Sequence, residues 1–255
     1  MNLFGSNSIV EQLIAERFRS SAQSLSQEEV AENIARIIEQ KIPKEGALIV
    51  SLIGGAASGK SSLSASLLGQ IRDKGIAADA ICVDDYNKYD RAFRRHEYEG
   101  EHPARDEAIL QKFDIKMLNG IVEAIRGNVD ELMKVAVPEY DEKTGVAVDR
   151  GPVRSIGPVK VLLVCGDFNL VERSDLVVYL HMNDEDRLAN RIRRDALQRA
   201  EPDTEKTKES FLLRQEIQHF SLTLPTTQKA DYLVVVDASK KAWTFDLYSV
   251  EPQRK

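Results

Sequence analysis

The stretch Gly54-Gly55-Ala56-Ala57-Ser58-Gly59-Lys60-Ser61-Ser62 spells G-x-x-x-x-G-K-S between an apolar run and a helical pattern. Its glycines let the backbone curl until several N–H groups face one anion, and helix-initial amides add the positive end of the macrodipole. Lys60 supplies a cation for the β- and γ-phosphates of a nucleotide, and the Ser61 hydroxyl suits a magnesium ion. An ordinary glycine-rich turn between strand and helix needs neither of these side chains. The segment therefore reads as a site for ATP and Mg2+.

Further reactive side chains follow at the ends of apolar runs. Asp84, in ICVDDYNKYDR, is a carboxylate that can accept a proton from a substrate hydroxyl or help hold the metal. Asp-Asp after a strand also starts turns. The run VKVLLVCGDFNL stops at Cys165, Gly166 and Asp167. A neutral thiol is a poor magnesium ligand because magnesium prefers hard oxygen donors. Asp167, two residues on, can reach the metal directly or through water. Arg187, Arg191 and Arg194 fall at i, i+4 and i+7 on one helical face, and guanidinium forks suit phosphate oxygens. Balanced by Glu185, Asp186, Asp195 and Glu201, the same face also reads as a solvated helix.

The elements that must position these groups are legible as a pattern. ALIVSLI, AADAICVDD, MKVAVPEYD, VKVLLVC, SDLVVYLHM and DYLVVVD read as strands. SSLSASLLGQIRDKG reads as a helix ending at Gly75, and further helices are expected at 106–127, 185–200 and 205–220. Near-continuous apolar strands alternating with helices imply an α/β fold with a parallel sheet covered on both faces. In such sheets ligands sit beyond the carboxyl ends of the strands. Residues 1–45 are expected as an N-terminal helical extension without strands, and 46–255 as the main domain. Within the extension, Ser26 and Glu29 stand at capping-box spacing. Val30, Ile34, Ile37 and Ile38 then form a stripe to be buried on the domain itself or in a dimer contact.

Composition narrows the classes. The chain has 255 residues and a formal net charge of −6, without the basic footprint of a nucleic-acid binder. Aromatic residues make up 6% and are not interleaved with basic ones, so no single-strand platform is expected. Cys82 and Cys165 lie in apolar runs and read as buried free thiols of a reducing compartment. His96, His102, His181 and His219 show no metal-ligand spacing with them. No secretory signal or membrane span is apparent, and a cytoplasmic protein is expected, with a homodimer possible.

Taken in order, GGAASGKSS, VDDYNKYDR, FDIKML, VPEYDEKTG, VLLVCGD, RLANRIRRDALQR and LPTTQKADYLVVV resemble the phosphoribulokinase and uridine kinase family over about residues 48–237. The resemblance implies a three-layer P-loop kinase fold of the nucleoside-monophosphate-kinase type, with an Arg-rich lid at about 185–201. It implies Asp84 as catalytic base with a possible role at the metal, and lid arginines Arg191, Arg194 and Arg199 over the transferring phosphate. Tyr86, Arg91, Asp114 and Tyr140 match positions around the acceptor. The implied activity is transfer of the γ-phosphate of MgATP to a hydroxyl of a sugar phosphate, sugar or related metabolite. Departures bear on this. Gly145 and Ala147 replace the histidine and arginine of nucleoside-type members, which argues against uridine; Glu201 replaces a lid arginine. Asn87 replaces a histidine of the sugar-phosphate branch, and Cys165 stands where the family has a metal-site glutamate. A nucleotide-binding regulator with weak or no phosphotransfer is the alternative that Cys165 raises.

Overall fold

The computed structural model describes residues 10, 12, 18–20, 24–89, 110–127, 134–139, 153–198, 203–212, 219–238 and 244–250. Five strands run parallel: β2 (Leu48–Gly54), β3 (Ala78–Cys82), β6 (Val161–Gly166), β7 (Leu176–Met182) and β8 (Tyr232–Asp237). Their order is β3-β6-β2-β7-β8, and antiparallel β9 (Thr244–Val250) and β1 (Phe18–Ser20) extend the β8 edge. Every residue of β2, β6 and β7 is buried, which explains their continuous apolar character. Strand β2 has Leu48, Val50 and Leu52 on one face, packed with α1 (Gln27–Lys41) and α2 (Lys60–Asp73). Ala47 and Ile49 turn to the other face, against α3 (Ile115–Arg126). The helical layers thus enclose the sheet as the pattern requires.

Helix α1 begins with the capping box read from the sequence. The Glu29 amide donates to Ser26 Oγ at 3.2 Å, and the Ser26 amide donates to Glu29 Oε2 at 2.7 Å. Its stripe of Val30, Ile34 and Ile38 is buried on the chain's own core, with Ile37 packed beside it. Strand β1 departs from the expectation of a strand-free N-terminus. At three residues it is too short to leave a periodic signal, and it pairs with β9. Strand β9 was also unforeseen, although Phe245 and Leu247 alternate into the core.

A two-stranded antiparallel sheet, β4 (Val135–Pro138) with β5 (Val153–Ile156), stands outside the main sheet. Val137 and Ile156 anchor it in the α3-side core. Arg154 ties it to β3: Nη1 donates to Asp79 Oδ2 at 3.1 Å, Nη2 to the Ala80 carbonyl, and Nε lies 3.4 Å from Glu139 Oε1. After β7 the chain enters α4 (Asp184–Gln198) and α5 (Thr204–Ser210). It later passes through a π-helical turn at His219–Thr223 and a 3-10 turn at Leu224–Lys229 before β8. No helix among the described residues is long and apolar enough to cross a membrane.

Candidate active site

The chain leaves β2 for β3 on one side, while the step from β6 to β7 crosses β2. The carboxyl end of β2 is therefore the topological switch point, where open α/β sheets take ligands. The phosphate-loop motif starts there. Gly54 closes β2 so tightly that a Cβ would collide with the Leu180 carbonyl oxygen and lie 2.9 Å from Ser58 Oγ. Ala57 adopts φ 64°, a strained setting for a residue with a Cβ, and Gly59 adopts φ 95° as N-cap of α2. Gly59 offers no side-chain cap, so the first amides of α2 remain available to an anion beside the positive helix end.

Lys60 Nζ donates to the Gly54 and Gly55 carbonyls at 2.8 and 2.9 Å and to Asp167 Oδ1 at 2.8 Å. This last contact unites the ends of β2 and β6. Desolvation pushes the Asp167 carboxyl up, but Lys60, with Lys112 and Arg187, outweighs it and holds the pKa below the ordinary carboxylate range. Asp167 therefore remains an anion on the loop.

Beyond β3 the chain turns at Val83–Tyr86, fixed by Asp85 Oδ2 accepting from the Cys82 amide at 3.0 Å. Asp84 is exposed at this strand end, and its carbonyl accepts from Asn87 Nδ2 at 2.7 Å. Asp84 just past β3, Asp167 just past neighbouring β6 and Ser61 in the first turn of α2 carry hard oxygen atoms, the donor type that suits Mg2+ held jointly with nucleotide phosphates. Cys165 does not compete for that role. Its Sγ donates to Ser64 Oγ at 3.3 Å, and burial pushes the thiol pKa up, so it remains protonated. Cys82 stands opposite it in register.

A cavity of about 610 Å³ adjoins this point, between α2, β3 and the β4–β5 sheet. Ser61, Cys82, Asp85, Glu139, Arg154 and Cys165 line part of it. It connects the Ser61 end of the phosphate loop with the acidic end of β3. Arg154 is a wall residue that sequence reasoning missed, because only the docking of β5 on β3 brings it here.

Not every residue that the resemblance assigns to the acceptor faces such space. Tyr86 is wholly buried in the α3-side core, and its hydroxyl has no hydrogen-bond partner among the described residues. Asp114 is the N-cap of α3, accepting from the Met117 amide at 2.9 Å, while its own amide donates to the Tyr86 carbonyl at 2.8 Å. Arg91, Tyr140 and Arg199 lie outside the described residues.

The Arg-rich face of α4 divides. Arg187 is fully buried rather than solvated: it pairs with Asp184 at 3.1 Å, and its guanidinium carbon lies 5.1 Å from the Phe211 ring centroid. Arg191 and Arg194 approach Asp195 Oδ1 at 3.4 and 4.0 Å, and Arg194 is the more exposed. Asp195 is held in turn by Thr207 Oγ1 of α5 at 3.2 Å. His181 and His219 are buried near Arg187; burial, then Arg187, lowers both pKa values, that of His181 to about 4. Both rings are neutral at physiological pH, a placement that no sequence spacing signals.

A sequence model of the phosphoribulokinase / uridine kinase family matches residues 49–241. Uridine kinase of Mycoplasma genitalium is 29% identical over 160 residues, covering 59% of this chain and 68% of that protein. Uridine kinase-like protein 3 of Arabidopsis thaliana is 24% identical over 197 residues, covering 73% of this chain but only 38% of that longer relative. Phosphoribulokinase from Rhodobacter spheroides shares the fold with a TM-score of 0.52 and 19% identity, covering 75% of this chain and 70% of that one.

Proposed function

We propose that this chain, which belongs to the phosphoribulokinase / uridine kinase family, transfers the γ-phosphate of ATP to a hydroxyl of a sugar, sugar phosphate or related metabolite. The observation that carries the reading is Lys60 joining the phosphate loop to Asp167 at the switch point of the sheet. The loop amides and the start of α2 bind the phosphate chain, and Lys60 exchanges its carbonyl partners for phosphate oxygens. The acceptor enters the cavity beside Ser61, whose wall includes Asp85, and its hydroxyl reaches Asp84, the exposed neighbour of Asp85. Its oxygen attacks the γ-phosphorus in line, the bond to the ADP oxygen breaks, and Asp84 takes the hydroxyl proton. Arg191, Arg194 and Arg199 trade carboxylate partners for the transferring phosphoryl group, so positioning and charge supply most of the acceleration. Ser61, Asp84 and Asp167 would hold magnesium, which would supply positive charge to offset that of the phosphates.

A second reading, a nucleotide-binding regulator, draws on Cys165, whose thiol is turned to Ser64 and supplies no metal ligand. A panel of sugars, sugar phosphates and nucleosides incubated with MgATP separates the two, read by ADP release and product mass. We expect a phosphorylated product that disappears in Asp84→Asn. ATP binding with no product from any acceptor supports the regulator, and absence of ATP binding overturns both.

A further inference from the structure

We infer that the first turns of α4 are a fixed clamp that shapes the phosphate loop from outside, with Asn190 and Arg187 as positioning residues for nucleotide binding. The inference rests on the nucleotide site proposed above, but assigns these two residues a role distinct from a mobile lid. Arg187 Nη1 donates to the Ala56 carbonyl at 3.5 Å, and Asn190 Nδ2 donates to the Ala57 carbonyl at 3.3 Å and to Met182 Sδ at 3.2 Å. Both contacts are longer than an ordinary N–H···O bond, yet they fall on consecutive peptides of one loop.

Their direction matters more than their length. In a planar trans peptide the C=O and N–H point opposite ways. Carbonyls drawn toward α4 therefore turn the Ala57 and Ser58 amides to the side away from it. The Ser58 amide donates to the Gly55 carbonyl at 3.1 Å, closing the turn that carries Ala57. Ala57, at φ 64°, is the strained residue between the two anchors, and strain of this kind persists only where the surroundings enforce it. Asn190 and Arg187 are part of that surrounding.

Gly55 supplies an independent observation. The G-x-x-x-x-G-K-S pattern places no demand on this position, and its φ is not in the left-handed region. A Cβ here would nevertheless collide with the Arg187 guanidinium and lie 2.9 Å from His219 Nδ1. Glycine is needed because a buried, ion-paired arginine occupies the space.

The test is ATP affinity and steady-state kinetics of the whole chain, with thermal unfolding followed in parallel. Asn190→Ala should raise the ATP Kd and KM by about threefold to tenfold, the range for one hydrogen bond, with kcat near wild type. Asn190→Asp keeps the size but sets a carboxylate oxygen against the Ala57 carbonyl, and should weaken ATP more than alanine does. Gly55→Ala should weaken ATP by more than tenfold, and if that variant does not fold the Asn190 pair decides. Unchanged ATP affinity in both Asn190 variants, or a lowered Tm without a change in KM, overturns the clamp and leaves the proposed kinase standing. Wild-type protein that binds no ATP overturns both.

Discussion

Asp84 is exposed at the end of β3, whereas Cys165, at the end of neighbouring β6, is buried with its thiol against Ser64. That contrast separates a reactive group from a packing group. Asp84→Asn should lower kcat by on the order of 10²–10⁴, the loss expected when the proposed general base is removed. Cys165→Ala should leave activity close to wild type, as measured by the same assay. Asp167→Ala should raise the magnesium concentration needed for half-maximal rate, because it removes an oxygen donor and releases Lys60. The strand-end acids and Lys60 of the phosphate loop were legible from residue type and spacing. Tyr86 was not, because its motif position says nothing of which way the ring turns, and here it fills the core.

Elements carry the geometry between these residues. The phosphate loop, α1 with its capping box, and the Arg-rich helix followed from local periodicity and caps. Ser26→Ala should cost about 1 kcal/mol in urea denaturation, the usual loss for a removed N-cap. Strands β4 and β5 are different in kind, for their placement depends on Arg154 bridging Asp79 and Glu139. Arg154→Met should raise KM for the acceptor and spare KM for ATP, because it loosens one wall of the cavity and touches no part of the loop. Strand β4 was legible within MKVAVPEYD, but β5 was concealed because it is four residues long and its tether is a long-range ion pair. Arg187 was concealed for a related reason. Helical spacing places it beside Arg191, and only the distant Gly55 and Phe211 reveal that it is enclosed.

At the scale of the whole molecule, the parallel sheet gathers the ends of β2, β3, β6 and β7 on one edge, and the apolar runs sufficed to foresee that. The antiparallel additions β9 and β1 followed from pairing across the full length of the chain. Burying His181 and His219 also makes the fold acid-sensitive. An unfolded histidine gains its proton below about pH 6.5, while folded His181 stays neutral down to about pH 4. The unfolded state thus binds more protons in that window, so stability present above pH 6.5 is lost as the pH falls toward 4. His181 alone accounts for about 3 kcal/mol at the lower limit, and His219 acts in the same direction. Urea midpoints between about pH 7 and pH 5 should fall, and His181→Gln should flatten the slope; an equal slope in that variant would remove the assignment. The central claim is direct phosphoryl transfer, and ATP labelled with heavy oxygen in its γ-phosphoryl group tests it most directly. We predict that the labelled phosphoryl oxygens appear on a phosphorylated acceptor while unlabelled ADP is released. Label found only in inorganic phosphate, or retained in ATP with every acceptor, would contradict it.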